Sequence, residues 1–293
     1  MRAILYALAS LVLGACSTVD MLNATAESAN IEIRRDISYG DGERRSLDVY
    51  RPRNAYGAAL CVFYYGGGWE GGSKESYTFV AAALAARGIV TVVPDYRVYP
   101  EVRFPEFLAD AAQAARWAKD HAIELGADPD RIVLAGHSAG AHIAAMLTLD
   151  PQWLDAVGLE PRRNLAGLVG IAGPYDFLPL QSRTLKSIFG PAEQLARTQP
   201  INFVKGGEPP TLLLAGGLDL SVDPRNSERL AARLEAAGSE VTAIEYPWIG
   251  HALVLGAVAR PLRFFAPTLR DTSDFILNVA PVSERVAARR DIR

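Results

Sequence analysis

Ser138 stands in Gly136-His137-Ser138-Ala139-Gly140, where an apolar run (131–136) gives way to a helical pattern beginning at Ala139. A serine hydroxyl is a weak nucleophile until a base takes its proton, and a strand-to-helix turn exposes it only if its neighbours are small. Glycine at both ends of this G-x-S-x-G meets that need. The pattern alone is weak; its place between a strand and a helix makes it specific. The chain has four histidines. His121 falls on the polar side of a long helical stretch. His137 and His142 lie inside or one turn beyond the serine motif, where packing is the expected role. His251, in the Gly-flanked "EYPWIGHALV" after the last strand, is the candidate general base. None of the histidines forms H-E-x-x-H, so no metal site is expected. A base of this kind needs a carboxylate to fix its tautomer, and two aspartates follow the strand at 211–215. Asp223 precedes Pro224 as a helix N-cap precedes proline at the first helical position, which gives it a structural task. Asp219, immediately past the strand end, has no such task and is the candidate acid.

"CVFYYGGGWEGGSKES" (61–76) admits two readings. Gly66, Gly68 and Gly71 satisfy G-x-G-x-x-G, and Asp95 ends the following strand, as a dinucleotide site would ask. Against this, Trp69 and Glu70 stand where backbone should approach a pyrophosphate, and a carboxylate there repels the ligand. The helix is also expected to start only near Ser73 or Ser76, too late for its N-terminal dipole to serve the phosphates. The second reading takes Gly66-Gly67-Gly68-Trp69 as a loop presenting backbone N–H groups to an oxyanion. Since a serine–histidine–aspartate set needs such donors, this is the reading adopted, and no nucleotide cofactor is expected.

These residues must be held by an alternating scaffold. "IEIRRDISYG" and "RRSLDVYRP" read as an antiparallel pair at a sheet edge. Strands then follow at 59–65, 89–95, 131–138, "LAGLVGIAG", "PTLLLAGG" and "EVTAIEYP". Helices are expected at 76–87, 105–125, 139–149, 224–237 and 269–279. Near-continuous apolar strands separated by helices predict an α/β fold, a mostly parallel central sheet with helices on both faces. The segment at about 174–208 breaks the alternation and reads as a small insertion over the strand ends. The closing "SERVAARRDIR" is polar and reads as frayed or laid on the surface.

Three stretches carry a family resemblance: "YYGGGW" resembles an HGGGW loop, "DYRVYPEVRFPEFLAD" resembles DYRLAPE-x-x-FP, and "GHSAGAH" the nucleophile motif. Together with the Asp219 and His251 loops, these make residues 45–255 similar to the α/β-hydrolase fold esterase/lipase group, near its hormone-sensitive-lipase and BD-FAE feruloyl-esterase-like branches. The order Ser138, Asp219, His251 is the one expected of that fold. The resemblance implies a carboxylesterase-type serine hydrolase working through an acyl-serine, without cofactor. It maps the oxyanion hole to the N–H groups of Gly67, Gly68 and Ala139, and it moves Asp95 from a ribose contact to a structural turn. Tyr65 departs from it, standing where the family has a histidine thought to brace the loop. The expected substrates are small-molecule esters, short-chain or small aromatic, with Trp69, Tyr175, Phe177 and Trp248 as candidate pocket residues. The same triad would also suit amide, formamide or peptide cleavage or acyl transfer, and a non-catalytic lipoprotein is the remote alternative.

At 293 residues, 49% hydrophobic and 22% charged, the chain can bury one large core, and a net charge of −3 speaks against a nucleic-acid partner. Met1-Arg2 followed by an apolar run to Ala15 reads as a signal peptide over 1–15, too short to span a bilayer comfortably. Its end, Leu13-Gly14-Ala15-Cys16, resembles the lipobox of bacterial lipoproteins. The expected organisation is therefore a lipidated Cys16 with a flexible tether over 16–30, then a single α/β-hydrolase domain over 31–293. That places the protein in a bacterial cell envelope, extracytoplasmic and membrane-anchored through its N-terminal lipid; plain secretion or an uncleaved anchor are the alternatives. Cys61 is then a lone thiol in a buried strand, expected to be core rather than nucleophile.

Overall fold

The computed structural model describes residues 18–290; the leader over 1–15 and Cys16 lie outside them. Eight strands form one sheet: β1 (Ile31–Ser38), β2 (Ser46–Pro52), β3 (Ala58–Tyr64), β4 (Val90–Pro94), β5 (Ala127–His137), β6 (Gly167–Ile171), β7 (Thr211–Gly216) and β8 (Val241–Tyr246). They lie in the order β1-β2-β4-β3-β5-β6-β7-β8. β1 pairs antiparallel with β2, and β2 antiparallel with β4; every later pairing is parallel. This is the α/β-hydrolase fold.

Parallel strands need crossovers, and their hand fixes where the helices go. The step from β3 to β4 moves one way along the sheet and the step from β4 to β5 moves the other. Right-handed connections therefore put the two crossover helices on opposite faces. Accordingly α2 (Thr78–Ala86) packs with α8 (Thr268–Asn278), while α3 (Glu106–His121) packs with α4 (Ala139–Leu149). With both faces covered, β3, β4, β6 and β7 are buried almost end to end. α4 is apolar all round and buried along its whole length, as suits a central helix. α6 (Arg225–Ala236) buries only one stripe, Leu230, Ala231 and Leu234 with Asn226 and Ser227.

Two segments differ from expectation. Residues 18–24, inside the stretch read as a tether, form a helix, α1 (Thr18–Ala24). Asn23 docks it: its amide donates to Glu75 O and its carbonyl accepts the Phe79 N–H. The C-terminal stretch, expected to be frayed or laid on the surface, is laid down as a helix, α9 (Val282–Arg290), seated by buried Val282 and by Arg285 on the carbonyl of Leu165. β5 begins four residues early, because Ala127 pairs with Ala58 before a register shift leads to Leu60 and Ile132. The insertion at 174–208 contains α5 (Arg183–Phe189) and two 3₁₀ turns, and lies over the sheet with Tyr175, Ile188 and Phe189 buried beneath it.

Asp110 of α3 anchors the loop after β4. Fully buried, it accepts from Arg97 Nε and Nη2, both at 2.8 Å, from the Arg97 N–H at 3.1 Å and from Arg45 Nη2 at 2.7 Å. The resemblance of "DYRVYPEVRFPEFLAD" thus has a physical basis, since its arginine and its last aspartate are ion-pair partners. Removing the carboxylate strands two guanidiniums that remain 26% and 20% exposed and can partly rehydrate. Asp110→Ala is therefore expected to cost about 3 kcal/mol, the low end for a broken buried pair. Urea unfolding should show a lower midpoint at unchanged slope.

Candidate active site

β5 runs into α4 without a loop, and Ser138 makes the whole turn, with φ 55° and ψ −122°. That conformation costs a non-glycine residue about 1–3 kcal/mol and persists only where packing enforces it. Here a Cβ on Gly136 would lie 2.3 Å from Gly140 O, and one on Gly140 only 2.1 Å from Tyr64 O. Strand and helix can approach this closely only with glycine at both places. Ser138 N–H donates to Ile171 O, and Ser138 O accepts the N–H groups of Ala141 and His142, which locks the turn.

His251 starts α7 (His251–Gly256), the helix after β8. Its Nε2 lies 2.8 Å from Ser138 Oγ and its Nδ1 2.7 Å from Asp219 Oδ2. Facing a carboxylate, Nδ1 carries the proton, which leaves Nε2 bare to accept from the serine hydroxyl. Asp219 is buried, and its other oxygen accepts the N–H groups of Ser221 and Val222, both at 2.8 Å. Both carboxylate oxygens are therefore committed, one to the backbone and one to the base. The helix begins one residue later than expected, with Pro224 rather than Asp223 at its N-cap, and Asp223 is a structural residue just before it, accepting the Arg225 N–H at 3.0 Å and the Arg225 guanidinium.

The glycine loop leaves β3 beside the serine turn. Gly67 has φ 139°, and a Cβ there would meet Gly71 O at 2.3 Å, so the tight turn requires glycine. Glu70 and Gly71 N–H groups donate to Gly67 O, which turns the Gly68 N–H of the same peptide unit the opposite way. Among the described residues the Gly67 and Gly68 N–H groups have no partner. Ala139 is the first residue of α4, so its N–H is one of the donors that a helix start leaves unpaired. Tyr65 is fully buried and stacks on Tyr96 with centroids 4.5 Å apart. Its hydroxyl accepts from Arg44 at 2.8 Å, while Tyr96 OH donates to Tyr65 O at 2.6 Å. Tyr65 thus braces the loop from beneath. Asp95 is a structural turn residue, accepting the Lys74 N–H at 2.9 Å, with burial holding its carboxyl above the usual range.

A cavity of about 790 Å³ opens beside the loop, bounded by Trp69, by Phe177 and its neighbours in the insertion, and by Ser221, Val222 and Arg229. Trp69 and Phe177 thus line it, their rings stacked at 6.0 Å. Tyr175 does not: it is fully buried, packed against the backbone of Gly170 and Gly173. Trp248 is also displaced from its expected place, for it is 83% exposed on the outer surface of the base loop. Cys61 is buried in β3, where burial pushes its thiol far above the ordinary range and rules it out as a nucleophile.

His137 and His142, expected as packing residues, are both buried, yet each is also hydrogen-bonded. His142 Nε2 donates to Thr198 O at 2.8 Å, which ties α4 to the insertion. His137 Nε2 lies 3.2 Å from His251 O. Their long-range partners leave no local signal in the sequence.

The BD-FAE family model matches residues 47–234. Esterase LipC of Mycobacterium tuberculosis is 31% identical over 76% of this chain and 60% of its own length. A probable isoprenylcysteine alpha-carbonyl methylesterase of Arabidopsis thaliana, ICMEL1, is 32% identical over 73% of this chain and 50% of its own. The chain thus spans only about half to three-fifths of these curated relatives. Among solved structures, the thermostable carboxylesterase EstE1, cloned from a metagenomic library, superposes with a TM-score of 0.73 at 25% identity, covering 90% of this chain and 94% of that one.

The two buried histidines make the fold acid-sensitive. Burial lowers His137 to about 3 and His142 to about 4, from an ordinary 6.5. Below pH 6.5 the unfolded chain takes protons that the folded chain refuses, so stability falls as pH drops from 6.5 towards 3–4. At pH 4.5 each histidine should withdraw about 2–3 kcal/mol. His142→Gln keeps a donor for Thr198 but cannot titrate, so urea midpoints between pH 7 and 4.5 should decline less steeply than in the wild type.

Proposed function

Since the chain belongs to the BD-FAE family, we propose that it is a carboxylesterase-type serine hydrolase, with Ser138 as nucleophile, His251 as base and Asp219 as acid. The observation that carries this is the continuous line Asp219–His251–Ser138, at 2.7 and 2.8 Å, next to three unpaired backbone donors. Ser138 Oγ attacks the ester carbonyl as its proton passes to His251 Nε2. The carbonyl oxygen becomes an oxyanion received by Ala139 and Gly67 or Gly68 N–H. Asp219 stabilises the imidazolium, and its two backbone bonds keep it from rotating away. As the tetrahedral adduct collapses, His251 returns the proton to the leaving alcohol, and the acyl-serine remains. Water, deprotonated by the same histidine, then releases the carboxylic acid and restores Ser138. Each oxyanion donor is expected to supply about 3–4 kcal/mol to the transition state.

The reading of small esters as substrates rests on the cavity beside Trp69, whose lining holds none of Ser138, Asp219 and His251. That cavity is open, and one wall is aromatic, through Trp69 and Phe177, while Arg229 faces it already paired with Asp176. That arrangement suits a short acyl chain or a small aromatic group better than a long alkyl chain. Both curated relatives are named as esterases, which favours ester over amide cleavage. Attachment to a membrane through lipid on Cys16 belongs to the same reading, supported by the Leu13–Cys16 pattern at the end of an apolar leader.

Ser138→Ala should abolish hydrolysis of p-nitrophenyl acetate and butyrate without changing the thermal midpoint. Paraoxon should leave its adduct on Ser138, as read by peptide mass. Turnover by the alanine variant near the wild-type rate would overturn the mechanism. Butyrate should be cleaved faster than palmitate, and the reverse order would overturn the substrate reading alone.

A further inference from the structure

The glycine loop and the base act on opposite sides of one carbonyl, yet among the described residues no hydrogen bond joins them directly. Two side chains bridge the gap. Gly66 N–H donates to Tyr77 OH at 2.8 Å; Tyr77 OH is 3.4 Å from His137 Nδ1; and His137 Nε2 is 3.2 Å from the main-chain oxygen of His251. Only one arrangement of protons satisfies all three contacts. A carbonyl oxygen can only accept, so His137 carries its proton on Nε2, which leaves Nδ1 with a lone pair. Tyr77 therefore donates to Nδ1 and accepts from Gly66. The bonds all run one way, from the oxyanion loop to the backbone of the base.

The bridge is kept neutral. Burial lowers His137 to about 3 and raises Tyr77 to about 12, so neither titrates over the range where an esterase works. Neutrality matters because the His137 and His251 rings lie only 4.8 Å apart, and His251 must accept a proton during each half-reaction. A second positive charge at that distance would oppose it. The outer side of Tyr77 and His137 faces an apolar cavity of about 440 Å³, lined by Val19, Leu22, Phe79, Leu253 and Leu262. The hydroxyl-bearing Thr18 and Ser76 also line this otherwise apolar cavity.

We propose that Tyr77 and His137 are positioning residues that hold the oxyanion donors and His251 in register across the scissile carbonyl. This rests on the hydrolase reading above. Displacements of about half an ångström are enough to impair such a site, and a glycine-rich loop supplies little rigidity of its own. Losing the bridge should therefore lower the rate of the chemical step and leave ground-state binding unchanged.

The test compares Tyr77→Phe, His137→Phe and the double variant with the wild type, using p-nitrophenyl butyrate turnover, the rate of paraoxon labelling of Ser138, and thermal unfolding. Each single variant is expected to lose about ten-fold in kcat and in labelling rate, with KM within about two-fold. The double variant should lose about ten-fold as well, because bonds in series fail together. His137→Gln, whose amide can both donate to His251 O and accept from Tyr77, should recover most of the loss. Single variants within two-fold of the wild-type kcat would overturn the inference while leaving the hydrolase reading intact. A double variant that loses about a hundred-fold, or losses that merely track the thermal midpoint, would do the same. Wild-type protein that neither turns over the ester nor takes the label would overturn both.

Discussion

The first turn of α4 presses on the end of β3 with nothing between Gly140 and the carbonyl of Tyr64, where a Cβ would come within 2.1 Å. Because β3 and β5 are neighbours, β5 must turn into α4 within a single residue to make that contact, and Ser138 takes up the whole change of direction. The same contact sets the start of α4, with the free N–H of Ala139, beside the loop that continues β3. Ser138 and the candidate oxyanion donors are thus aligned by one packing event rather than by two independent ones. The strain in Ser138, about 1–3 kcal/mol, is offset by the burial of every residue of α4.

Topology then gathers what the sequence scatters. β3, β5, β7 and β8 are parallel, so the glycine loop, Ser138, Asp219 and His251 all follow the carboxyl ends of strands along one edge of the sheet. Loops alone would place these groups loosely, and each is tied to rigid backbone. Ser138 is bonded to β6 through Ile171 O, Asp219 to its own loop through two N–H groups, and the base loop to the acid loop through the Leu218 N–H on Ile249 O. Preorganisation of this kind lets fixed dipoles meet developing charge without waiting for them to turn.

The legible part of the site is the part whose signals are local. Small residues at a strand–helix junction single out Ser138, a proline after Asp223 leaves Asp219 as the candidate acid, and Gly250 after the last strand marks His251. Strand and helix positions follow from apolar runs, so the fold class is legible as well. What depends on the far side of the chain is not. Tyr175 and Trp248 are both aromatics near strand ends, and nothing in their neighbourhoods tells that one is sealed under the insertion and the other left in solvent. His137 looks like filler because its partners, Tyr77 and His251, are 60 and 114 residues away. α1 reads as linker because its helical content is weak. Its place depends on Asn23 finding Glu75 and Phe79 rather than on propensity.

Tyr65 ties the glycine loop to residues far from the site. A phenol reaches further than an imidazole, and its hydroxyl meets Arg44 in the turn between β1 and β2. The same guanidinium donates to Gly72 O at 2.9 Å and to Tyr96 O at 3.0 Å, so one cation closes the glycine loop onto the loop that follows β4. The ring below it stacks on Tyr96, and the Tyr96 hydroxyl returns a bond to the backbone of Tyr65. The bracing of the glycine loop thereby reaches the antiparallel hairpin at the sheet edge. That hairpin is itself held by Lys74, whose ammonium lies 3.0 Å from the buried Asp48 of β2. The β1–β2 pair is therefore more than a cover for the sheet edge: the position of the oxyanion donors depends on it through Arg44.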